Sequence, residues 1–210
     1  MNTTKIFQEY FNELSSNSPT PGGGNVAALC GALSSSLGIM VCNLTIGKKK
    51  YVDVESEMIR LKEKLENMQK NFIELGQKDN ASFDKVIDAF KLPKETEQEK
   101  NIRSKAIEEA TIGATSAPME VIQTSKTLLP ILEIIIDKGN KNSLSDAGVA
   151  VTLVGTAAKG AYLNVLINCS SLSNQTIANE LKKSADILIE EVIRTSDRLF
   201  EQVVKLMGSK

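Results

Sequence analysis

Apolar positions recur every three to four residues along most of this chain, and strict alternation is scarce. That spacing predicts an all-α protein. A first amphipathic helix is expected over residues 3–16, with Ile6, Phe7, Tyr10, Phe11 and Leu14 on one side. Prolines and glycines make Ser15 to Gly24 a loop, and Asn25 is read as the cap of a second helix reaching about Ile46. A basic turn, Gly47 with KKKY, leads into a long helix from about Asp53 to Phe90. Its stripe of Met58, Leu61, Leu65, Met68, Phe72 and Leu75 is spaced alternately three and four. Past a break at Pro93, Glu95 to Asp137 reads as one helical stretch that Pro118 and Pro130 kink or interrupt. Gly139 is the stop, and Ser143 or Ser145 caps a helix to about residue 170. A last amphipathic helix covers 174–207. The expected architecture is a bundle of about six helices with long central members, in one domain over residues 1–210.

The second helix stands apart because no charged residue occurs from Val26 to Gly47. Its length suffices for a bilayer. However, Ser34, Ser35, Ser36, Asn43 and Thr45 interrupt the apolar run, and the other helices each carry a charged face. Ala27, Gly31 and Ser35, like Ala28, Ala32 and Ser36, stand four apart and let neighbours approach closely. The reading is a buried central helix, not a membrane span.

Composition narrows the chemistry. Formal net charge is −1 and aromatics are 4%, so neither bulk charge nor stacking platforms favour nucleic acid. Cys30, Cys42 and Cys169 form no CxxC pair and read as buried apolar residues of a reducing compartment. The chain has no His, which removes Ser–His triads, Cys–His dyads and His-ligated zinc together. Acid–base work therefore falls to Asp, Glu, Lys, Tyr, Cys or water. The N-terminus lacks signal-peptide and transit-peptide character, so the expected location is the cytoplasm.

Several residues stand out against this frame. The loop PGGGN, Pro21 to Asn25, runs into a helix start, where free N–H groups and the helix dipole suit an anion. It has no Walker Lys and no GxGxxG spacing, and a tight turn is the plainer alternative. Extending the stripe past Leu75 lands on Asp79, then Ser82, Val86 and Ala89. A carboxylate on a core-facing stripe must be paired, hydrogen-bonded or partly neutralised, and burial would poise it for proton transfer. A structural Asp bonded to a neighbouring helix is the competing reading. Asp146, Asn164 and Asn168 share one helical face, but Asp146 and Asn164 are about 27 Å apart along a helix axis. One pocket in one chain could hardly use both unless an antiparallel partner joins the two ends. Dipole charge for Asp146 and interhelical bonding for the asparagines are the alternatives. Lys48, Lys49 and Lys50 form a basic cluster that is either a solvated turn or a seat for dispersed carboxylates.

The segments SPTPGGGNVAALCGAL, NLTIGKKKY, DNASF, KLPKETEQEK, GNKNSLSDAGVA and GAYLNVLIN together resemble the cyclodeaminase/cyclohydrolase family of folate enzymes. That family includes the C-terminal domain of formiminotransferase-cyclodeaminase and stand-alone bacterial relatives. The resemblance spans nearly the whole chain and implies an all-helical homodimer acting on one-carbon tetrahydrofolates. It aligns the family's catalytic D-A-x-A-F motif with Asp79 and Phe83, Asn80 standing where the motif has Ala. Asn25 replaces the Ser of the usual PGGGS loop. The implied reaction converts 5-formimino-tetrahydrofolate to 5,10-methenyl-tetrahydrofolate with loss of ammonia. Asp79 is then the acid–base, Gly22, Gly23 and Gly24 cradle a polar part of the ligand, and Lys48 to Lys50 meet a (poly)glutamate tail. Asp146, Asn164 and Asn168 become pterin or loop-positioning candidates from one or two subunits. No metal or cofactor is required, and no nucleic acid or membrane partner is expected. The alternatives are a methenyl-tetrahydrofolate cyclohydrolase using the same cavity, and a non-catalytic helical adaptor.

Overall fold

The computed structural model describes residues 3–208, with side chains described from Phe7 onward; Ile6 lies outside those side chains. Among the described residues the regular elements are all helical. They are α1 (Thr3–Leu14), α2 (Gly23–Thr45), α3 (Glu55–Phe90), α4 (Glu97–Ala114), α5 (Ser116–Lys138), α6 (Leu144–Ser170) and α7 (Gln175–Gly208). Short 3₁₀ turns at Lys49–Val54 and Lys141–Ser143 precede α3 and α6. The expected basic turn is thus partly helical, and its lysines lead directly into α3.

One expectation that holds and one that fails matter for the site. First, 95–137 is two helices, because the chain breaks at Thr115 just before Pro118. Pro118 sits in the first turn of α5, where its missing N–H is tolerated, whereas Pro130 lies inside α5 without ending it. Second, α2 starts earlier than expected: its N-cap is Gly22, in extended conformation and with no side-chain capping bond. Asn25 therefore lies within the first turn, and its side chain serves elsewhere. By contrast α4 has a full capping box, in which the Thr96 hydroxyl accepts from the Glu99 N–H and the Glu99 carboxylate accepts from the Thr96 N–H.

Helix α2, which is uncharged, and helix α6, whose charged residues are Asp146 and Lys159, lie antiparallel at the centre. The Ser34 hydroxyl donates to the Ala150 carbonyl at 2.7 Å, and Gly160 lies against Ala27. Small residues make the close approach possible: Phe72 of α3 is fully buried against Gly31, where any added Cβ would collide with its ring. Losing such a side chain costs about 3–5 kcal/mol. On the far side of α6, Gly148 meets Val203 and Gly155 meets Ser196 of α7. Helix α5 covers the back of this layer with Leu128, Leu129, Leu132, Ile135 and Ile136, all buried. The stripe of α3 faces inward as its spacing requires, with Met58, Leu61, Leu65, Phe72 and Leu75 buried and Met68 partly so. Cys42 and Cys169 are buried, Cys30 is half-buried, and all three are free thiols. Burial pushes the Cys42 thiol up to about 11, which keeps it protonated and inert.

Candidate active site

The loop before α2 brings Asp79 and the start of that helix together. Val26 N–H makes the first helical bond, to the Gly22 carbonyl at 3.0 Å. The N–H groups of the first turn then need partners from outside the helix. With a glycine N-cap offering no side-chain oxygen, a carboxylate from α3 takes that place: Asp79 accepts from the Asn25 N–H. Two effects oppose each other at this carboxyl. Burial raises its pKa and is the larger, while the Asn25 N–H lowers it, so the group lies above the usual aspartate value.

Gly24 is what admits the carboxyl. A Cβ on Gly24 would lie 2.5 Å from the Asp79 carboxyl carbon and closer still to both oxygens. Gly23, one residue earlier, is exposed, and its nearest neighbour would be Asn164 Nδ2 at 3.6 Å, an ordinary contact. The third glycine position is thus set by the carboxylate, not by a tight turn.

Around Asp79 lies a polar cavity of about 110 Å³, lined by Pro19, Thr20, Gly22, Gly23, Gly24, Phe83, Ala114, Asn164, Ile167 and Asn168. It joins the α2 start, the middle of α3, the α4–α5 break and the last turns of α6. Asn168 Nδ2 donates to the Ala114 carbonyl at 3.0 Å. In a continuous helix that carbonyl would accept from residue 118, but Pro118 has no N–H. The proline thus frees an acceptor and Asn168 occupies it, which ties α6 to the break. Asn164 Nδ2 donates within its own helix, to the Gly160 carbonyl at 2.9 Å. A larger hollow of about 530 Å³ lies between α1 and the α2–α3 pair, with Phe7, Leu29, Phe72 and Ile73 in its walls. It is mostly apolar and lacks a carboxyl.

The structure thus gathers Asp79, Phe83, Gly22, Gly23, Gly24, Asn164 and Asn168 from the sequence-derived set. The others are placed differently. The Asn25 side chain turns away: its Oδ1 accepts from the Tyr10 hydroxyl at 2.9 Å and its Nδ2 donates to the Gly76 carbonyl at 3.0 Å. Only its backbone N–H serves the pocket. Pro21 is outside the cavity wall, which Pro19 and Thr20 form instead. Lys48, Lys49 and Lys50 follow the opposite end of α2, about 33 Å of helix from Gly23. Asp146 is in the first turn of α6, at that same far end, where Asn140 N–H donates to Thr45 Oγ1 at 2.9 Å. Within one chain these four residues do not reach the pocket. Pro19, Thr20, Ala114 and Ile167 were not anticipated; of these only Ala114 had a readable signal, the proline four residues on.

The sequence and the fold that carry this pocket have counterparts among known proteins. The family model for formiminotransferase-cyclodeaminase matches residues 6–187. The chain belongs to that family. A methenyltetrahydrofolate cyclohydrolase of Methylorubrum extorquens is 38% identical, over 95% of this chain and 96% of its own length. The formimidoyltransferase-cyclodeaminase of Rattus norvegicus is 31% identical over 87% of this chain, which spans 34% of that longer protein. The crystal structure of formiminotetrahydrofolate cyclodeaminase from Thermotoga maritima superposes with a TM-score of 0.78 at 33% identity, covering 94% of this chain and 96% of that one.

Proposed function

We propose that this protein is a cytoplasmic homodimeric folate one-carbon enzyme, converting 5-formimino-tetrahydrofolate to 5,10-methenyl-tetrahydrofolate with release of ammonia. The observation that carries the reading is the Asp79 carboxyl, desolvated at the start of α2 with its pKa raised. Ring closure needs N10 to attack the formimino carbon, a proton to leave N10, and a proton to reach the departing nitrogen. One carboxyl of raised pKa can take the first proton as carboxylate and return it to the amine as acid. The remaining N–H groups of Gly23 and Gly24 and the positive end of α2 face the same cavity and suit a polar part of the ligand. Phe83 offers an aromatic face to the pterin, with Asn164 and Asn168 as positioning groups. The chemistry asks for no metal or cofactor.

Hydration of the methenyl carbon, giving 10-formyl-tetrahydrofolate, is a second reading, favoured by the cyclohydrolase relative that matches over 96% of its length. It would use Asp79 to take a proton from the attacking water and hand it to N5 as the bond between N5 and that carbon breaks, the adduct's hydroxyl proton leaving to solvent. Incubation with 5-formimino-tetrahydrofolate, following methenyl absorbance and ammonia together, tests the proposal. Methenyl appearance with stoichiometric ammonia is expected. Accelerated loss of methenyl-tetrahydrofolate without any deamination of the formimino compound would replace the first reading by the second.

A further inference from the structure

Two glycines on neighbouring helices make room for each other's polar side chains. Gly24 of α2 admits the Asp79 carboxyl, and Gly76 of α3, one turn before Asp79, admits the Asn25 amide. A Cβ on Gly76 would lie 3.2 Å from Asn25 Nδ2, tighter than ordinary contact. Asn25 therefore holds α3 at two points. Its backbone N–H donates to the Asp79 carboxylate, and its Nδ2 donates to the Gly76 carbonyl at 3.0 Å. The amide oxygen accepts from the Tyr10 hydroxyl of α1 at 2.9 Å. These bonds fix which way the amide faces: turned over, it would set Oδ1 against the Gly76 carbonyl, acceptor on acceptor. Burial, with the Cys30 thiol beside it, holds the Tyr10 pKa above its ordinary 10, so the hydroxyl is a donor throughout the neutral range.

The helix ladder gives the Asn25 N–H no restraint. Three glycines precede Asn25, the N-cap makes no side-chain bond, and Val26 N–H makes the first bond of the α2 ladder. Asn25 carries the first side chain of α2, and that side chain is what anchors the backbone there. No cation orients the carboxyl from the cavity wall, where Asp79 is the one ionisable side chain among the described residues. The adjacent Lys78 is engaged with Ser116 and Glu120 of α5.

We infer that Asn25 and Tyr10 are positioning residues: through the Tyr10–Asn25–Gly76 bonds they hold the Asn25 N–H, and with it the Asp79 carboxyl, in the orientation that proton transfer needs. Neither lines the Asp79 cavity; both stand in the wall of the larger, apolar hollow. A reacting group has to be kept within about 0.5 Å of its productive place by the hydrogen bonds behind it, and a displacement of ~1 Å costs about 10²-fold in turnover. Helix α1 thus acts on the reaction although none of the cavity wall comes from it.

Asn25→Leu keeps the outline of the amide and removes both of its side-chain bonds, leaving the backbone N–H. Tyr10→Phe removes only the hydroxyl. Phe7→Leu, in the same hollow wall and without a polar group, is the control. The role in turnover rests on the folate reading above, so two readouts are needed. With 5-formimino-tetrahydrofolate, Asn25→Leu should lose at least about tenfold in kcat while KM stays within about twofold. Tyr10→Phe should show a smaller part of the same loss, and Phe7→Leu none. An undiminished kcat in Asn25→Leu, or a loss confined to KM, overturns the inference. The second readout involves no folate: the Asp79 carboxyl carbon is titrated by NMR in aspartate-labelled protein, its resonance assigned by its absence from Asp79→Asn. Loosening an N–H that favours the charged form should raise the titration midpoint in Asn25→Leu and Tyr10→Phe and leave it in place in Phe7→Leu. A midpoint unmoved in both variants overturns the inference whatever the kinetics. Should Asn25→Leu fail to fold, Tyr10→Phe carries both readouts. A wild-type protein that turns over neither folate defeats the folate reading alone, and the titration then decides whether Asn25 and Tyr10 hold the carboxyl.

Discussion

Replacing Gly24 by Ala places a methyl group where the Asp79 carboxyl now lies. The new Cβ would be 2.5 Å from the carboxyl carbon, about 1 Å inside ordinary van der Waals contact, so the carboxyl must swing away by about that distance. Overpacking of this size costs about 1–3 kcal/mol, and about 2–4 °C of Tm per kcal/mol for a chain of this length. A displacement of ~1 Å at a reacting group costs about 10²-fold in turnover. Gly23→Ala is the matched control: its Cβ meets nothing nearer than 3.6 Å, and it reduces unfolded-chain entropy, so stability should hold or rise by up to ~1 kcal/mol. In Gly24→Ala/Asp79→Ala the colliding group is gone, so the stability cost of the alanine should largely vanish while activity stays absent. Thermal melts with steady-state kinetics on all four proteins decide the matter. Gly24→Ala with wild-type Tm and kcat would refute the claim that this glycine exists to admit the carboxylate.

Other perturbations follow from the same contacts. Asn168→Leu leaves the Ala114 carbonyl without its donor and should destabilise by about 1–3 kcal/mol; in a Pro118→Ala background, where residue 118 regains an N–H, denaturant titration should show a smaller loss. Glu108 accepts from the Ser173 and Asn174 N–H groups ahead of α7, both at 2.8 Å, which holds its pKa below the ordinary 4.5. Its stabilisation is therefore complete above pH 4.5 and lost as pH falls through the lowered value. Glu108→Gln should accordingly melt earlier than wild type at pH 7, with the gap closing in acid. Asn80 Oδ1 is buried without a hydrogen-bond partner, so Asn80→Ala should be neutral or stabilising by up to about 1 kcal/mol in urea unfolding.

The inward stripe of α3 was legible because burial requires that spacing, and Asp79 was conspicuous because it continues the stripe with the wrong polarity. The absence of His further concentrated the acid–base candidates on such a carboxyl. The Asn25 cap was misread because side-chain capping is the usual way to satisfy a helix start, whereas here the capping oxygen comes from another helix, 54 positions along the chain. No local pattern encodes that. Pro118 signalled a break correctly, but the use of the freed carbonyl depends on where α6 passes. The lysine turn carries the right chemistry for an anionic ligand, yet chain geometry holds it, and Asp146 with it, a helix-length from the pocket.

The central claim is that Asp79 carries the proton transfer, and Asp79→Asn tests it most directly. Asparagine preserves the shape and still accepts the Asn25 N–H, but it cannot exchange a proton. Burial raises the carboxyl above its ordinary 3.8, so ionisation destabilises the fold, negligibly below pH 3.8 and fully above the raised value. Turnover of 5-formimino-tetrahydrofolate and thermal stability should be measured on the same preparation. The account predicts that Asp79→Asn loses nearly all turnover, still binds folate, and melts higher than wild type at pH 7, with that gain shrinking toward pH 3.8. A well-folded Asp79→Asn protein with undiminished turnover would contradict it.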